Sequence, residues 1–308
     1  MSNPSSAKGP DITGVYSLGA SSPEGGSHLL VLEDGKYAIT HFGGIQIGDW
    51  KHVEGAVFQF TPKRKESEFE LFGRHNKDLD GRTKILFGGF ENGETFVQVR
   101  AAEGEDCLLQ RVFNSDANCF SPPYVHTFET VAHSIAFMST QHDSADRSVI
   151  TIENPDGYND FVAGFVEVND YEGQPFFAAF EDGGLRFDEG DTRMRSPLDQ
   201  VGEDLEFIRQ FIEVESNRET IYMNPSYNPF GSLDDEAPSD INEHHVFDEQ
   251  KNAFIDKEYY VEGAENATSD ESYDDMSIIY LYAVLKGANM ESIPHEISEQ
   301  PLFNIDRF

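Results

Sequence analysis

Apolar and polar positions alternate in short runs along most of this chain, and turn-forming dipeptides separate the runs. The stretch from Ile12 to Thr61 shows the pattern best. It reads ITGVYSL, HLLVLEDGKYAITHF and GGIQIGDWKHVEGAVFQFTP, broken at Asp34-Gly35, Gly43-Gly44 and Glu54-Gly55. Asp-Gly between apolar runs is a strong hairpin signal, because a type I′ turn needs positive φ at both central residues. The pattern predicts an antiparallel meander. Further strands are expected at 68–72, 84–90, 95–100 and 107–113, separated by polar turns at 76–81, 91–93 and 103–106. Strands at this spacing suggest an up-and-down barrel or a sandwich, and closure would remove the exposed strand edges of a long meander.

Beyond a polar, Pro-containing connection at 114–127, Val131, His133, Ile135 and Phe137 alternate with smaller or polar residues, which predicts another strand. Strands are also expected at 148–152, 161–168 and 176–180. The stretch 177–187 echoes the hairpin at 30–39 and suggests a second β unit. Leu205, Ile208, Phe211 and Ile212 recur at helical spacing and predict a helix over 202–215. Residues 224–245 have loop composition, and 276–285, apolar on every face, are expected to form a buried strand.

The series Gly14-Val15-Tyr16, Leu30 to Tyr37, Gly44 and Gly48-Asp49-Trp50 resembles the first strands of small bacterial lipocalin-like (calycin-type) barrels. The resemblance covers about 100 residues, and it implies an internal apolar cavity with the Trp closing one end of the barrel. The expected fold is therefore all-β and mainly antiparallel. A flexible tail at 1–10 is followed by a lipocalin-like up-and-down barrel over 11–115. A second β-rich portion over 128–287 carries acidic loops and one or two short helices, and an irregular tail spans 288–308.

Size and charge narrow the functions open to such a fold. The 308 residues suffice for one large β domain or two medium ones, and 25 Phe, 12 Tyr and one Trp supply apolar surface for a core. The 22 Lys and Arg against 57 Asp and Glu give a formal net charge of −35. A field of that sign repels nucleic-acid phosphates and anionic membrane surfaces, so neither is an expected partner. No apolar run approaches the ~20 residues of a membrane-spanning helix. The first residues contain no apolar signal-peptide core, so the expectation is cytoplasmic if Met1 is the native start, with export behind a removed leader left open. Cys107 and Cys119 fit no zinc spacing and are expected as thiols, a disulfide remaining the alternative. No cofactor is expected.

Several residues carry candidate chemistry. Asp78-Leu79-Asp80-Gly81 begins like a calcium loop, but Phe87 stands where an EF-hand starting at Asn76 would need Glu, so an acidic turn is the ordinary reading. His244, His245 and Asp248 are the densest nitrogen and oxygen ligand cluster, although neighbouring histidines on a strand point to opposite faces. His133 and His41 fall on apolar strand faces by alternation, and Tyr37 shares a face with His41. Together they would form an acid–base set if they met inside a barrel. Trp50, Phe58, Phe60 and Phe96 are candidates to line a ligand cavity. No nucleophile elbow, P-loop or dinucleotide fingerprint is present.

Three functions follow, in order of expectation. The first is a barrel that encloses a small, largely apolar molecule. The second is an isomerase, cyclase or dehydratase using His133, His41 or Tyr37 as acid and base. The third is an acidic interaction protein that engages a cationic partner through 234–249 and 262–275. The oligomeric state is left open.

Overall fold

The opening meander forms as five antiparallel strands, β1 (Gly14–Ser17), β2 (His28–Val31), β3 (Lys36–His41), β4 (Gly44–Glu54) and β5 (Val57–Pro62), each paired with the next. The computed structural model describes residues 9–19, 26–41, 44–63, 67–102, 108–114, 123–140, 149–166, 174–187, 190–202, 204–216, 218–230, 240–262, 272–291 and 296–304. The chain then supplies β6 (Phe69–Arg74), β7 (Thr83–Gly88), β8 (Thr95–Arg100), β9 (Leu109–Arg111), β10 (Val125–Phe128), β11 (Ser134–Ser139), β12 (Val149–Glu153) and β13 (Asp160–Phe165). It continues through β14 (Phe176–Glu181), β15 (Gly184–Phe187), β16 (Thr192–Ser196) and helix α1 (Asp204–Ser216). Last come β17 (Thr220–Met223), the short helix α2 (Ile241–His244), β18 (His245–Asp248), β19 (Ala253–Asp256), β20 (Ile278–Val284), β21 (Ala288–Glu291) and β22 (Ile297–Ser298).

The fold is all-β with an eight-stranded antiparallel barrel, as the strand pattern suggested. The barrel does not lie within 11–115, however. It closes in the order β1-β2-β3-β4-β5-β14-β15-β16, with β5 pairing β14 and β16 returning to β1. The hairpin at 177–187 therefore completes the first barrel instead of starting a second unit. Its tip, Asp182-Gly183, has φ of 50° and 81°, the left-handed pair that a type I′ turn needs. The first unit is accordingly 1–66 with 168–217, and the second is 67–167 with 218–308. Helix α1 follows the last barrel strand and lies against the outside of β2, β3 and β4. There Ile208 and Ile212 pack with Leu30, Leu32, Ala38 and Ile47.

In the second unit, one sheet runs β10-β7-β13-β6-β20-β19-β18, with β17 beside β20. A six-stranded sheet runs β21-β12-β11-β8-β9-β22. Phe69, Leu71, Ile85, Phe87 and Phe161 from the first sheet share one core with Val97, Ile135, Phe137 and Ile152 from the other, so the two form a sandwich. The expected strands at 68–100 belong here because β13 inserts between β6 and β7, which local periodicity does not reveal. Within 288–308, the described residues 288–291 and 296–304 are not an irregular tail. β21 pairs β12, β22 pairs β9 in parallel, and the Phe303 ring sits 5.2 Å from that of Phe113. The apolar side chains of Ile297, Leu302 and Phe303 anchor this segment to the sandwich. Residues 1–8, Cys107 and Cys119 lie outside the described residues.

Candidate functional site

The inner face of the barrel follows from alternation along its strands. Tyr16, Leu29, Val31, Tyr37, Phe58, Phe60, Ala178 and Leu185 form the buried interior cluster, flanked by Leu18, Ile39, Trp50, Phe176, Phe180 and Phe187. Three aromatic pairs fix the middle. Phe60 stacks on Phe176 at 5.0 Å, and Tyr37 meets both edge-on at 5.4 and 5.8 Å. Gly48 makes this possible, because a Cβ there would stand 2.6 Å from Tyr37 Cε1 and 2.3 Å from the Thr61 carbonyl oxygen. The indole nitrogen of Trp50 donates to the Leu32 carbonyl at 2.9 Å.

Filling stops short of one end. There Leu18, Ile39, Gln46, Pro62, Gln174, Phe176 and Phe187 line an open pocket of about 320 Å³, near the lower limit of small-molecule sites, which span about 300–1,000 Å³. Five of the seven lining residues are apolar, and the other two are neutral carboxamides. On β16, Arg195 lies 5.8 Å from the Phe180 ring centroid and donates to the Asp11 carbonyl at 3.0 Å.

Tyr16 and Tyr37 are both fully buried, yet their hydroxyls differ. Tyr16 donates to the Ile12 carbonyl at 2.6 Å. The Tyr37 hydroxyl has no hydrogen-bond partner. Burial pushes both phenols well above the ordinary tyrosine range, with Asp49 adding to the shift at Tyr37. Tyr37 lies one inward position before pocket-lining Ile39 on β3, and touches Phe176 in the pocket wall.

The other anticipated residues are distributed between the two units. His41 is exposed at the end of β3, two positions beyond Ile39 on the same strand face. His133 is not in the barrel. It is an exposed residue of the second unit, its Nε2 3.8 Å from Glu153 Oε2, because β11 begins only at Ser134 and the apparent alternation of Val131 and His133 runs through a solvent-facing turn. Trp50, Phe58 and Phe60 are inside the barrel but pack beneath the pocket rather than lining it. Phe96 belongs to β8 in the second unit, packed with Leu109, Ala136, Met138 and Val149. The pocket residues Leu18, Gln46, Gln174, Phe176 and Phe187 escaped the sequence reading. Extending the Tyr37–Ile39 alternation across β4 would have picked out Gln46.

Among the described residues no group of three or more His, Cys, Asp and Glu side chains could hold a metal ion. His244 is exposed, and His245 is buried with its Nε2 2.7 Å from the Met276 carbonyl. Asp248 is occupied in a turn, accepting from the amides of Gln250 and Lys251. Asp78 lies in a short 3₁₀ turn, Lys77–Leu79, capped by the Asn76 side chain, and Asp80 ends it in the left-handed region at φ 38°.

The second unit holds one further polar concentration that sequence reasoning missed. Asp160 opens β13 directly opposite Arg74 on β6 and Lys84 on β7. Its Oδ2 accepts from Arg74 Nε at 2.9 Å and Arg74 Nη2 at 2.8 Å, and from Asn76 Nδ2 at 3.0 Å, with Lys84 Nζ 3.5 Å away. Oδ1 has no partner. The Arg74 guanidinium lies 3.6 Å above the Tyr280 ring. Burial opposes the Arg74 charge, but Tyr282, Asp160 and Tyr280 hold its pKa above the ordinary arginine value. Tyr227, at φ 63°, places a buried, unpartnered hydroxyl beside this group, and burial raises its pKa strongly. The available signal was a lone Asp heading the apolar run FVAGF.

Compared with known proteins, the chain matches no family, no curated protein and no solved structure. The eight-stranded antiparallel barrel is compatible with the lipocalin-like resemblance of its first strands. No helix among the described residues is long and apolar enough to cross a membrane.

Proposed function

We propose that the barrel binds a small, largely apolar molecule in the pocket at its open end. The carrying observation is that aromatic packing, dense around Phe60, ends at a pocket of about 320 Å³ walled by Leu18, Ile39, Pro62, Phe176 and Phe187. Apolar walls with a few placed polar groups are the usual composition of such sites. Trp50, the only tryptophan of the chain, packs in the same interior and reports on occupancy. Titration with a naphthyl compound should change its fluorescence saturably. Ile39→Phe, which fills the pocket and adds no second tryptophan, should abolish that change while the circular dichroism spectrum stays native; saturable binding that survives the plug would overturn the assignment.

A second reading uses the same pocket for acid–base chemistry. It is supported by the unpaired Tyr37 hydroxyl within the barrel and by exposed His41 farther along the same strand face. The acidic interaction reading depends on runs of which 234–239 and 263–271 lie outside the described residues.

A further inference from the structure

We infer that the barrel pocket selects a neutral ring compound carrying one carbonyl or hydroxyl, and rejects carboxylates of the same size. This rests on the binding reading above and specifies its ligand. The two polar residues in the pocket wall, Gln46 and Gln174, are carboxamides, and among the described residues neither side chain has a hydrogen-bond partner. A carboxamide offers both donors and an acceptor, so the pair can meet a carbonyl or a hydroxyl equally well. Behind Phe176 of the wall, Tyr37 keeps a buried hydroxyl with no partner. A desolvated hydroxyl with no bond is costly, and a ligand oxygen reaching that depth would relieve the cost.

Charge then decides the head group. Among the described residues no Lys, Arg or His lines the pocket, so a carboxylate entering it would lose its hydration without gaining a counter-ion from them. The formal charge of −35 repels such an anion before it arrives. Phe176 and Phe187, with ring centroids 6.1 Å apart and tilted by 46°, present aromatic surface on the wall and favour a flat apolar body.

Three naphthalene probes of matched shape separate the possibilities, followed at pH 7 through Trp50 fluorescence. The ketone 2-acetylnaphthalene should bind about tenfold more tightly than naphthalene, the return from one or two hydrogen bonds. The anion 2-naphthoate should bind more weakly than either. In Gln46→Leu/Gln174→Leu the ketone and naphthalene should converge to within about twofold, with melting temperature measured to confirm folding and each single variant read if the double one fails to fold. Equal binding of the ketone and the naphthoate overturns this inference alone, as does a ketone preference that survives both leucines. Saturable binding by none of the three overturns the pocket itself and this inference with it.

Discussion

The barrel interior and the outer face of the eight-stranded sheet both bury tyrosines, but they keep them in opposite electrical surroundings. Inside the barrel, Tyr16 and Tyr37 stand among Phe58, Phe60 and aliphatic side chains, and burial outweighs the charges that reach them, Arg195 and Asp11 at Tyr16 and Asp49 at Tyr37. On the sheet, Tyr227, Tyr280 and Tyr282 surround an ion pair whose geometry is set by strand register, since Asp160 faces Arg74 on one side and Lys84 on the other. Each arrangement leaves one tyrosine hydroxyl unbonded, Tyr37 in the barrel and Tyr227 on the sheet, but only the barrel one touches a pocket wall, through Phe176. On the sheet, Arg74 and Asn76 both donate to one carboxylate oxygen, which suits a clamp across three strands. The contrast explains why binding is assigned to the barrel although the sheet holds the denser cluster of charges.

The largest effect should come from breaking the clamp. Asp160→Ala leaves Arg74 buried without its counter-ion and should cost about 3–5 kcal/mol in chemical denaturation. Replacing the pair together, Arg74→Met with Asp160→Leu, should recover most of that loss. A cost below about 1 kcal/mol for Asp160→Ala, the level of an exposed pair, would mean that the cluster clamps nothing.

Alkaline titration tests a property the two regions share. Burial raises the pKa of Tyr16, Tyr37, Tyr227 and Tyr282, so each stays protonated in the fold above pH 10 while its unfolded counterpart ionises. Unfolding there releases protons. Their stabilising contribution is complete below the ordinary tyrosine value and is lost progressively above it, by up to about 1.4 kcal/mol per pH unit for each tyrosine. Denaturant midpoints that stay flat from pH 9 to 11 would contradict this.

The smallest effect separates the two barrel tyrosines. Tyr16→Phe removes a bond to the Ile12 carbonyl and should cost about 0.5–1.5 kcal/mol. Tyr37→Phe removes a hydroxyl that bonds to nothing, and should be neutral or slightly stabilising in the unliganded protein. Paired melting curves decide it. A larger loss at Tyr37 would show that its hydroxyl is engaged.

Local elements were well written in the sequence. The meander of Ile12 to Thr61, the helix expected at 202–215 and found at Asp204–Ser216, and the strand expected at 276–285 and found at Ile278–Val284 all follow from periodicity and turn chemistry. Partner choice was not written there. Nothing in Phe176–Glu181 says that it pairs with β5, and nothing in Asp160–Phe165 says that it separates β6 from β7. Such pairings are global packing outcomes, and a shared hairpin motif is equally compatible with two barrels or one. For the site, alternation brought out Tyr37 and its inward neighbours. It misled at His133, where the same pattern continues through an exposed turn.

The route by which the barrel closes also imposes an order in time. Strand β5 ends at Pro62 and its partner β14 begins only at Phe176, with β6 to β13 between them. At about 5–20 residues per second of synthesis, the first five strands wait on the order of ten seconds for the last three. During that interval β1 and β5 present open edges, each a template for pairing with another chain. A nascent chain stalled before Phe176 should therefore be the most association-prone form of this protein.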